Sequence, residues 1–322
     1  MRPKLARSVS VHEPWQQARY GVRFAWGPAG AACVGRHGGV LVIVDVLSFT
    51  TSVGVAVERG VAVYPAAARD AGAVELAETL GAVLAVDRRE VTTAQPWSLS
   101  PAALRSARAP ARLVLPSPSG CAIAAAAGGR VVVAASLGNA RAVAAWMTHR
   151  QDGPFAVIAA GERWPDGSLC PALEDLLGAG AVLAALAEHG GCSESPEAAA
   201  ARAAYETSDS IPDDVRGSAS GVELVTSGFS QDVDVAVEID ASDVVPVLPR
   251  PGIPTRLTRA LSRGTRSTVT VRASECSSSP QRVSCSGSGS RCPSRSCWAR
   301  HEPASCASLG RVPACPGCVA QG

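Results

Sequence analysis

The chain has 322 residues, which is enough to bury a large hydrophobic core, and its 30 basic and 28 acidic residues give a net charge of +2. This balance hides two unlike segments, because residues 249–322 contain 11 arginines and only two acids, whereas residues 1–248 carry a net charge of −7. The acidic body argues against general nucleic-acid binding by that body, since contact with a phosphate backbone requires clustered positive charge.

The cysteines follow the same division, with four in the first 248 residues and seven between Cys276 and Cys318. Scattered thiols in the body are typical of a reduced, cytosolic protein. The first residues are basic but lack the apolar run of a signal peptide, and no apolar run reaches the roughly 18 residues of a membrane span. We therefore expect a cytoplasmic protein.

Short apolar runs alternate with helical segments between residues 20 and 248, after a flexible N-terminus at residues 1–19. Strands are predicted at residues 20–26, 40–44, 61–65, 82–87, 111–116, 130–136, 155–161 and 244–248. Helices are predicted at residues 50–60, 66–81, 121–129, 140–150, 173–191, 195–206, 218–229 and 232–240. This alternation is the signature of βαβ units, so we predict an α/β domain with a mostly parallel sheet and helices on both faces. Residues 27–39 and 88–108 are predicted to be turns and loops.

The stretch that organises this domain is residues 40–51, which read VLVIVDVLSFTT. Asp45 follows a strand that is predicted to be buried on both faces, and Thr50 and Thr51 open a helix that ends near Gly60. A carboxylate is costly to bury alone, so Asp45 is expected to face the crevice at the strand end, where open α/β sheets bind ligands. The alternative is that Asp45 only caps the turn or pairs with a nearby arginine.

Polar residues recur at four predicted strand ends. The candidate substrate-binding residues in these turns are Ser48, Thr50, Thr51, Ser117, Ser119, Gly120, Ser136 and Asn139. The acids at or beyond the strand ends are Asp45, Glu162, Asp166, Glu174 and Asp175. If the strands are parallel and adjacent, the turns suit an oxyanion and the acids suit a hard cation such as Mg²⁺, which together indicate phosphoryl chemistry. Each serine is also explained as a helix N-cap, and the acids at 174 and 175 by the helix dipole.

Other catalytic templates are absent from the sequence. It has no P-loop, no G-x-S-x-G elbow and no H-E-x-x-H motif, and Leu47 occupies the place of the second aspartate in the usual aspartyl-phosphate signature. The five histidines avoid the predicted strand ends of the body, which argues against a triad that uses histidine.

Residues 249–322 are predicted to be a disordered tail, because serine, arginine, cysteine, proline and glycine dominate them without an apolar period. Their cysteines include one Cys-x-x-Cys pair and no second pair at zinc-finger spacing, which disfavours a metal site. The composition changes abruptly and the chain has one lysine against 29 arginines, so one hypothesis is that the tail is an out-of-frame translation of a GC-rich gene.

Four motifs in order resemble the 2-phosphosulfolactate phosphatase family. They are VLVIVDVLSFTTSVGVAVERGV, LPSPSGCAIA, VVVAASLGNARAVA and FAVIAAGERWPDGSLCPALEDLLGAGAV. The resemblance implies a Mg²⁺-dependent hydrolase that removes phosphate from 2-phospho-3-sulfolactate, a step toward coenzyme M or sulfolactate. It places Asp45, Glu162 and Asp175 in catalytic positions, and it places Asp45, Glu162, Glu174 and Asp175 as metal ligands.

The chain departs from the family at two turns. Ser48 and Phe49 stand where better-known members have Arg-Ala, and Ser119 stands where they have Asn. Loss of a guanidinium removes a bidentate partner for phosphate or sulfonate, so an anionic substrate would depend on Arg141, Arg163 or the metal.

The predicted function is therefore a phosphomonoester hydrolase acting on a small anionic phosphoester. Two alternatives stay open: a non-catalytic anion-binding protein on the same fold, and a phosphatase for a different small phosphoester. The oligomeric state is also open, with a homodimer as the candidate assembly.

Overall fold

A computed structural model describes residues 13–37, 39–128, 130–150, 153–190 and 193–248, together with the backbone of Thr258–Leu261. Most of the predicted flexible N-terminus, and the predicted tail apart from Thr258–Leu261, lie outside the described residues. No helix in the described ranges combines the length and the apolar character needed to cross a bilayer.

Two parallel-stranded sheets form the centre of the domain. The main sheet has the order β1 (Val22–Trp26), β7 (Phe155–Ala159), β2 (Val40–Val44), β6 (Val131–Ala135), β10 (Val244–Leu248) and β11 (Thr258–Leu261). Its first four strands are parallel, and β10 and β11 add antiparallel pairs at one edge. The second sheet has the order β3 (Ala62–Ala66), β5 (Arg112–Pro116) and β4 (Val83–Leu84), all parallel.

Eleven α-helices lie in the described residues. They are α1 (Gly27–Val34), α2 (Phe49–Glu58), α3 (Ala71–Leu80), α4 (Pro101–Ser106), α5 (Pro118–Ala126), α6 (Ala140–Thr148), α7 (Leu173–Glu188), α8 (Pro196–Glu206), α9 (Ile211–Gly217), α10 (Ala219–Thr226) and α11 (Ser230–Ala236). A short hairpin of β8 (Glu162–Arg163) and β9 (Leu169–Cys170) lies between β7 and α7.

The central strand β2 divides its side chains between two hydrophobic cores. Val40, Val42 and Val44 pack in the core that includes residues of α6, α7 and α8, whereas Leu41 and Ile43 pack in the core with α1, α2, α5 and the second sheet. All five side chains are buried. This arrangement confirms the predicted α/β fold with mostly parallel strands and helices on both faces.

The prediction of turns at residues 27–39 is wrong, because α1 occupies most of this range. Its glycines serve close packing: a Cβ added at Gly30 would lie 2.7 Å from the Cβ of Ala25 in β1. Pro28 stands in the first helical turn, where its missing N–H costs nothing. The glycine-rich composition therefore predicts a loop where the structure has a helix that packs closely on a strand.

Three further helices differ from the prediction, although each has the same start signal in the sequence. Helix α4 lies in the range 88–108, α5 begins within the predicted SPSG turn, and α9 was not predicted. Each follows a serine that caps the helix, with proline in the first helical turn. The same signature correctly predicted α8 after Ser195 and Pro196.

The condition that the four polar turns follow adjacent parallel strands is not met for Ser117. Its strand, β5, belongs to the second sheet, whereas β2, β6 and β7 are adjacent in the main sheet. The partition into two sheets depends on contacts between residues far apart in sequence, which a local apolar pattern does not encode. Helix α5 nevertheless approaches the turn after β2, since a Cβ at Gly120 would lie 2.3 Å from the ring of Phe49.

Candidate active site

The turn from β2 to α2 holds Asp45 in a fixed, half-buried position. Thr50 fastens the backbone, because its hydroxyl donates to the Asp45 carbonyl at 2.8 Å and accepts the Asp45 N–H at 2.9 Å. The Asp45 carboxylate accepts the N–H of Phe49 at 3.0 Å. Thr51 donates its hydroxyl to the carbonyl of Val46 at 2.8 Å. Both threonines thus shape the turn that presents the acid.

Asp175 ties the ends of two parallel strands to the first turn of α7. Its Oδ1 accepts the N–H of Val46 at 2.7 Å, just beyond β2, and its Oδ2 accepts the N–H of Gly161 at 2.8 Å, just beyond β7. The residue is only 4% exposed. Both carboxylate oxygens are therefore engaged by the backbone, and Asp175 orients the strand ends around Asp45.

Glu174 and Glu162 have carboxylates that no described residue binds. Glu174 is 2% exposed, yet it makes no hydrogen bond or ion pair within the part of the chain that the structure describes. Glu162 begins the β8–β9 hairpin with an exposed side chain that likewise has no such partner there. Neither carboxylate is engaged by the described residues, so both are available to bind a ligand.

The acids share one electrostatic environment. Burial raises the pKa of Asp45 to about 6, with the charge of Glu174 adding to the rise and the N–H of Phe49 opposing it. Partial removal from water and the charges of Asp45 and Glu174 raise the pKa of Glu162 to about 7. Burial and the same charges hold the pKa of Asp175 well above its usual range. Carboxylates that repel one another at a strand end attract cations and protons, as at many catalytic sites.

The carboxylates of the acid cluster supply only part of the octahedral ligand set of a magnesium ion. No group of three or more His, Cys, Asp or Glu side chains among the described residues is arranged to hold a metal. However, Mg²⁺ in phosphoryl-transfer sites is commonly bound by one or two carboxylates, with water and phosphate oxygens completing the octahedron. Asp45 and the unpartnered Glu174 supply that number of hard oxygen ligands.

Asn139 and Ser136 form a structural cap at the end of β6. The side-chain amide of Asn139 donates to the carbonyls of Ala134 and Val244, at 3.3 and 3.1 Å, and its Oδ1 accepts the N–H of Ser136 at 2.8 Å. Every polar atom of the Asn139 side chain is thus engaged by the protein. The alternative that these residues only cap a helix therefore accounts for the geometry of this turn.

The turn after β5 has the same character. Ser117 accepts the N–H of Gly120 at 3.2 Å as the N-cap of α5. Ser119 is half-buried, and its hydroxyl makes no hydrogen bond to a described residue. Of the predicted substrate-binding hydroxyls, that of Ser119 is therefore left without a protein partner, whereas that of Ser117 is engaged in its cap.

The sequence model of the 2-phosphosulpholactate phosphatase family matches residues 33–251, from the end of α1 to just beyond β10. The chain belongs to this family. A comparison with curated proteins finds no significant match. The matched range includes every residue of the predicted site, so the acid cluster at the end of β2 lies within the part of the chain that defines membership of the 2-phosphosulpholactate phosphatase family.

Arg88 lies beside the turn after β2, and the sequence prediction did not include it. Its Nη2 donates to the hydroxyl of Ser48 at 2.8 Å, and its charge lowers the pKa of Asp45. By contrast, Arg141 pairs with Asp240 and Glu188 on the surface. Arg163 donates to the carbonyl of Gly167.

The signal for Arg88 was available, because it directly follows the predicted strand at 82–87, and polar residues at strand ends were the criterion used elsewhere. The sequence predicts a loop at residues 88–108, and nothing in that prediction places Arg88 beside Asp45. Ser48, which stands where the resemblance implies an arginine, is therefore bound by an arginine from the turn after β4.

Proposed function

We propose that the chain is a Mg²⁺-dependent phosphomonoester hydrolase whose substrate is a small anionic phosphoester, with 2-phosphosulfolactate as the first candidate. The observation that carries this proposal is the unpartnered, buried Glu174 beside Asp45 at the carboxyl end of β2, in a chain of the 2-phosphosulpholactate phosphatase family. Parallel α/β sheets bind ligands at this end of their strands.

Asp45 and Glu174 are proposed to hold the metal, and Asp175 to position both. When bound, Mg²⁺ would neutralise phosphate charge and polarise the phosphoryl group. Asp175 keeps the ends of β2 and β7 together through its two backbone hydrogen bonds, so the orientation of Asp45 depends on it.

Glu162 is proposed to act in proton transfer. Removal from water is the largest cause of its raised pKa, and that cause does not depend on the charges of Asp45 and Glu174 that Mg²⁺ would neutralise. A carboxylic acid with this pKa can give a proton to the oxygen of the leaving alcohol and recover it from water. Its side chain is exposed on the hairpin that borders the cluster, which leaves it accessible to a substrate.

Two alternatives remain, each with an observation in its favour. The absence of a three-ligand metal group among the described residues favours an anion-binding protein without catalysis. Ser48 in place of the family arginine favours a different small phosphoester. The cytoplasmic location and a homodimer stay predictions.

Phosphate release by the full chain tests the proposal. The substrates are 2-phosphosulfolactate and a panel of small phosphomonoesters, each assayed with Mg²⁺ and with EDTA. We expect Mg²⁺-dependent release that is greatest for 2-phosphosulfolactate. Release from other esters alone would retain the phosphatase and reject the substrate, and a folded protein that binds phosphate but releases none from any ester would favour the binding protein.

A further inference from the structure

A buried carboxylate from α11 holds the Arg88 side chain in place. Asp232, whose side chain is 2% exposed, places its Oδ2 3.0 Å from Nε of Arg88. The other oxygen of Asp232 accepts the hydroxyl of Ser100 and the N–H of Ala102. The ring of Phe229 lies 5.5 Å from the guanidinium carbon. The carboxylate is thus fixed by α4, and it fixes the arginine in turn.

The guanidinium retains donors that the protein does not use. Nη2 donates to Ser48 and to the carbonyl of Leu99, whereas Nη1 makes no hydrogen bond to any residue that the structure describes. Nε lies close to Asp232 without the alignment of a hydrogen bond. The side chain is 19% exposed and borders a cavity of about 480 Å³ that is also lined by Ser100, Phe229 and Asp232.

Burial makes this cation a strong partner for an oxyanion. Burial lowers the pKa of Arg88, and the charges of Asp232, Asp87 and Asp45 oppose that change, so the group stays charged while it is partly removed from water. A partly desolvated guanidinium with free N–H groups forms short, charge-assisted hydrogen bonds to phosphate or sulfonate oxygens.

We propose that Arg88 binds an oxyanion of the substrate and that Asp232 is the residue that positions Arg88 against Ser48. Arg88 then supplies a guanidinium beside Ser48, at the turn after β2. The inference rests on the proposed function for the identity of the ligand, since the oxyanion is either the phosphoryl or the sulfonate end of one substrate.

Binding of inorganic phosphate and of 3-sulfolactate to the full-length chain, measured separately by calorimetry, tests the assignment. We expect Arg88→Gln to weaken one of these ligands by at least tenfold, and Arg88→Lys, which keeps the charge but loses the planar fork, to weaken it less. Selective loss of phosphate binding would assign the phosphoryl end, and selective loss of sulfolactate binding would assign the sulfonate end. Unchanged affinity for both ligands in a folded Arg88→Gln chain would overturn the proposal.

The positioning role of Asp232 requires a separate variant. Asp232→Asn places an amide in the carboxyl site while keeping an acceptor for Ser100, so we expect the affinity for the same ligand to fall about tenfold, and Asp232→Glu to restore part of it. In turnover assays KM should rise more than kcat falls. The matched control is Glu194→Gln, which breaks another partly buried pair with Arg202 and should leave both constants unchanged.

These measurements separate the inference from the proposed function. If the wild-type chain releases no phosphate but Arg88→Gln loses anion binding, the hydrolase is rejected and the binding role of Arg88 is retained. If the wild-type chain is active and the Arg88 and Asp232 variants match it in affinity and in KM, the hydrolase is retained and this inference is rejected. If Arg88→Gln does not fold, the Arg88→Lys and Asp232→Asn affinities decide.

Discussion

At the scale of single residues, the site places a carboxylate where it lowers stability. Because the folded state raises the pKa of Asp45 to about 6, the native protein binds more protons than the unfolded chain between about pH 4 and pH 6. The ionised carboxylate therefore destabilises the fold. This cost is absent below about pH 4, and it is complete once the pH has risen through about 6. Such a cost is typical of residues retained for function.

Asp45→Asn should therefore remove activity and increase stability. The amide keeps an acceptor for the N–H of Phe49 and carries no charge, so we expect the free energy of unfolding at pH 7.5 in EDTA to rise by about 1–3 kcal/mol. The gain should shrink at pH 4. Urea unfolding at the two pH values measures it, with exposed Asp243→Asn as the control, which should change stability by less than about 0.5 kcal/mol. A gain that is equal at both pH values would contradict the assignment of the shift.

Substitution of the two neighbouring acids in the first turn of α7 should affect different properties, activity for Glu174 and stability for Asp175. Glu174→Gln breaks no hydrogen bond to a described residue, so stability should be kept while turnover falls by about 100-fold or more. Asp175→Ala leaves the buried N–H groups of Val46 and Gly161 without an acceptor and should lower the free energy of unfolding by about 1–3 kcal/mol. Urea unfolding and phosphate release on both variants check this. Equal destabilisation by both would mean that Glu174 is also structural.

At the scale of helices and strands, the local patterns in the sequence were sufficient for the strands and insufficient for their grouping. The five apolar residues of β2 predict a strand buried on both faces, and that is what the two cores around it show. Helix α1 was missed because its glycines resemble turn residues until the contact of Gly30 with β1 is known. Close packing depends on both the helix and the strand, so the apolar periodicity of neither sequence segment predicts it.

Close packing of α7 on α8 predicts a contrast between two helical glycines. A Cβ at Gly180 would lie 2.4 Å from the carbonyl oxygen of Ala201, whereas a Cβ at Gly54 in α2 would meet nothing within 4 Å. Gly180→Ala should therefore separate the helices and cost about 1–3 kcal/mol of stability. Gly54→Ala should add about 0.5–1 kcal/mol, because alanine loses less backbone entropy. Thermal unfolding of both variants tests this, and a neutral Gly180→Ala would show that α8 can shift freely.

At the scale of the whole molecule, the site forms where the two sheets converge on one turn. Asp45 follows the central strand of the main sheet, and Arg88 follows a strand of the second sheet. The sequence predicted the acids, since each follows an apolar run or opens a helix. It did not predict the pairing of Arg88 with Ser48, because 40 residues and a change of sheet separate the two. The acids could thus be predicted from each strand separately. The arginine that offsets part of their charge could not.

The sheet also extends beyond the predicted domain boundary at Leu248. Four residues of β11 pair with β10, from Val244 with Leu261 to Val247 with Thr258, and so cover its outer edge. A chain truncated after Leu248 exposes that edge, and we expect it to lose about 2 kcal/mol, or roughly 4–8 °C in melting temperature, and to aggregate more readily. A chain truncated after Ser267, where the compact unit that contains β11 ends, should match the full chain. Thermal unfolding and size-exclusion chromatography compare the three. If the chain ending at Leu248 is as stable as the chain ending at Ser267, β11 contributes nothing to the stability of the fold.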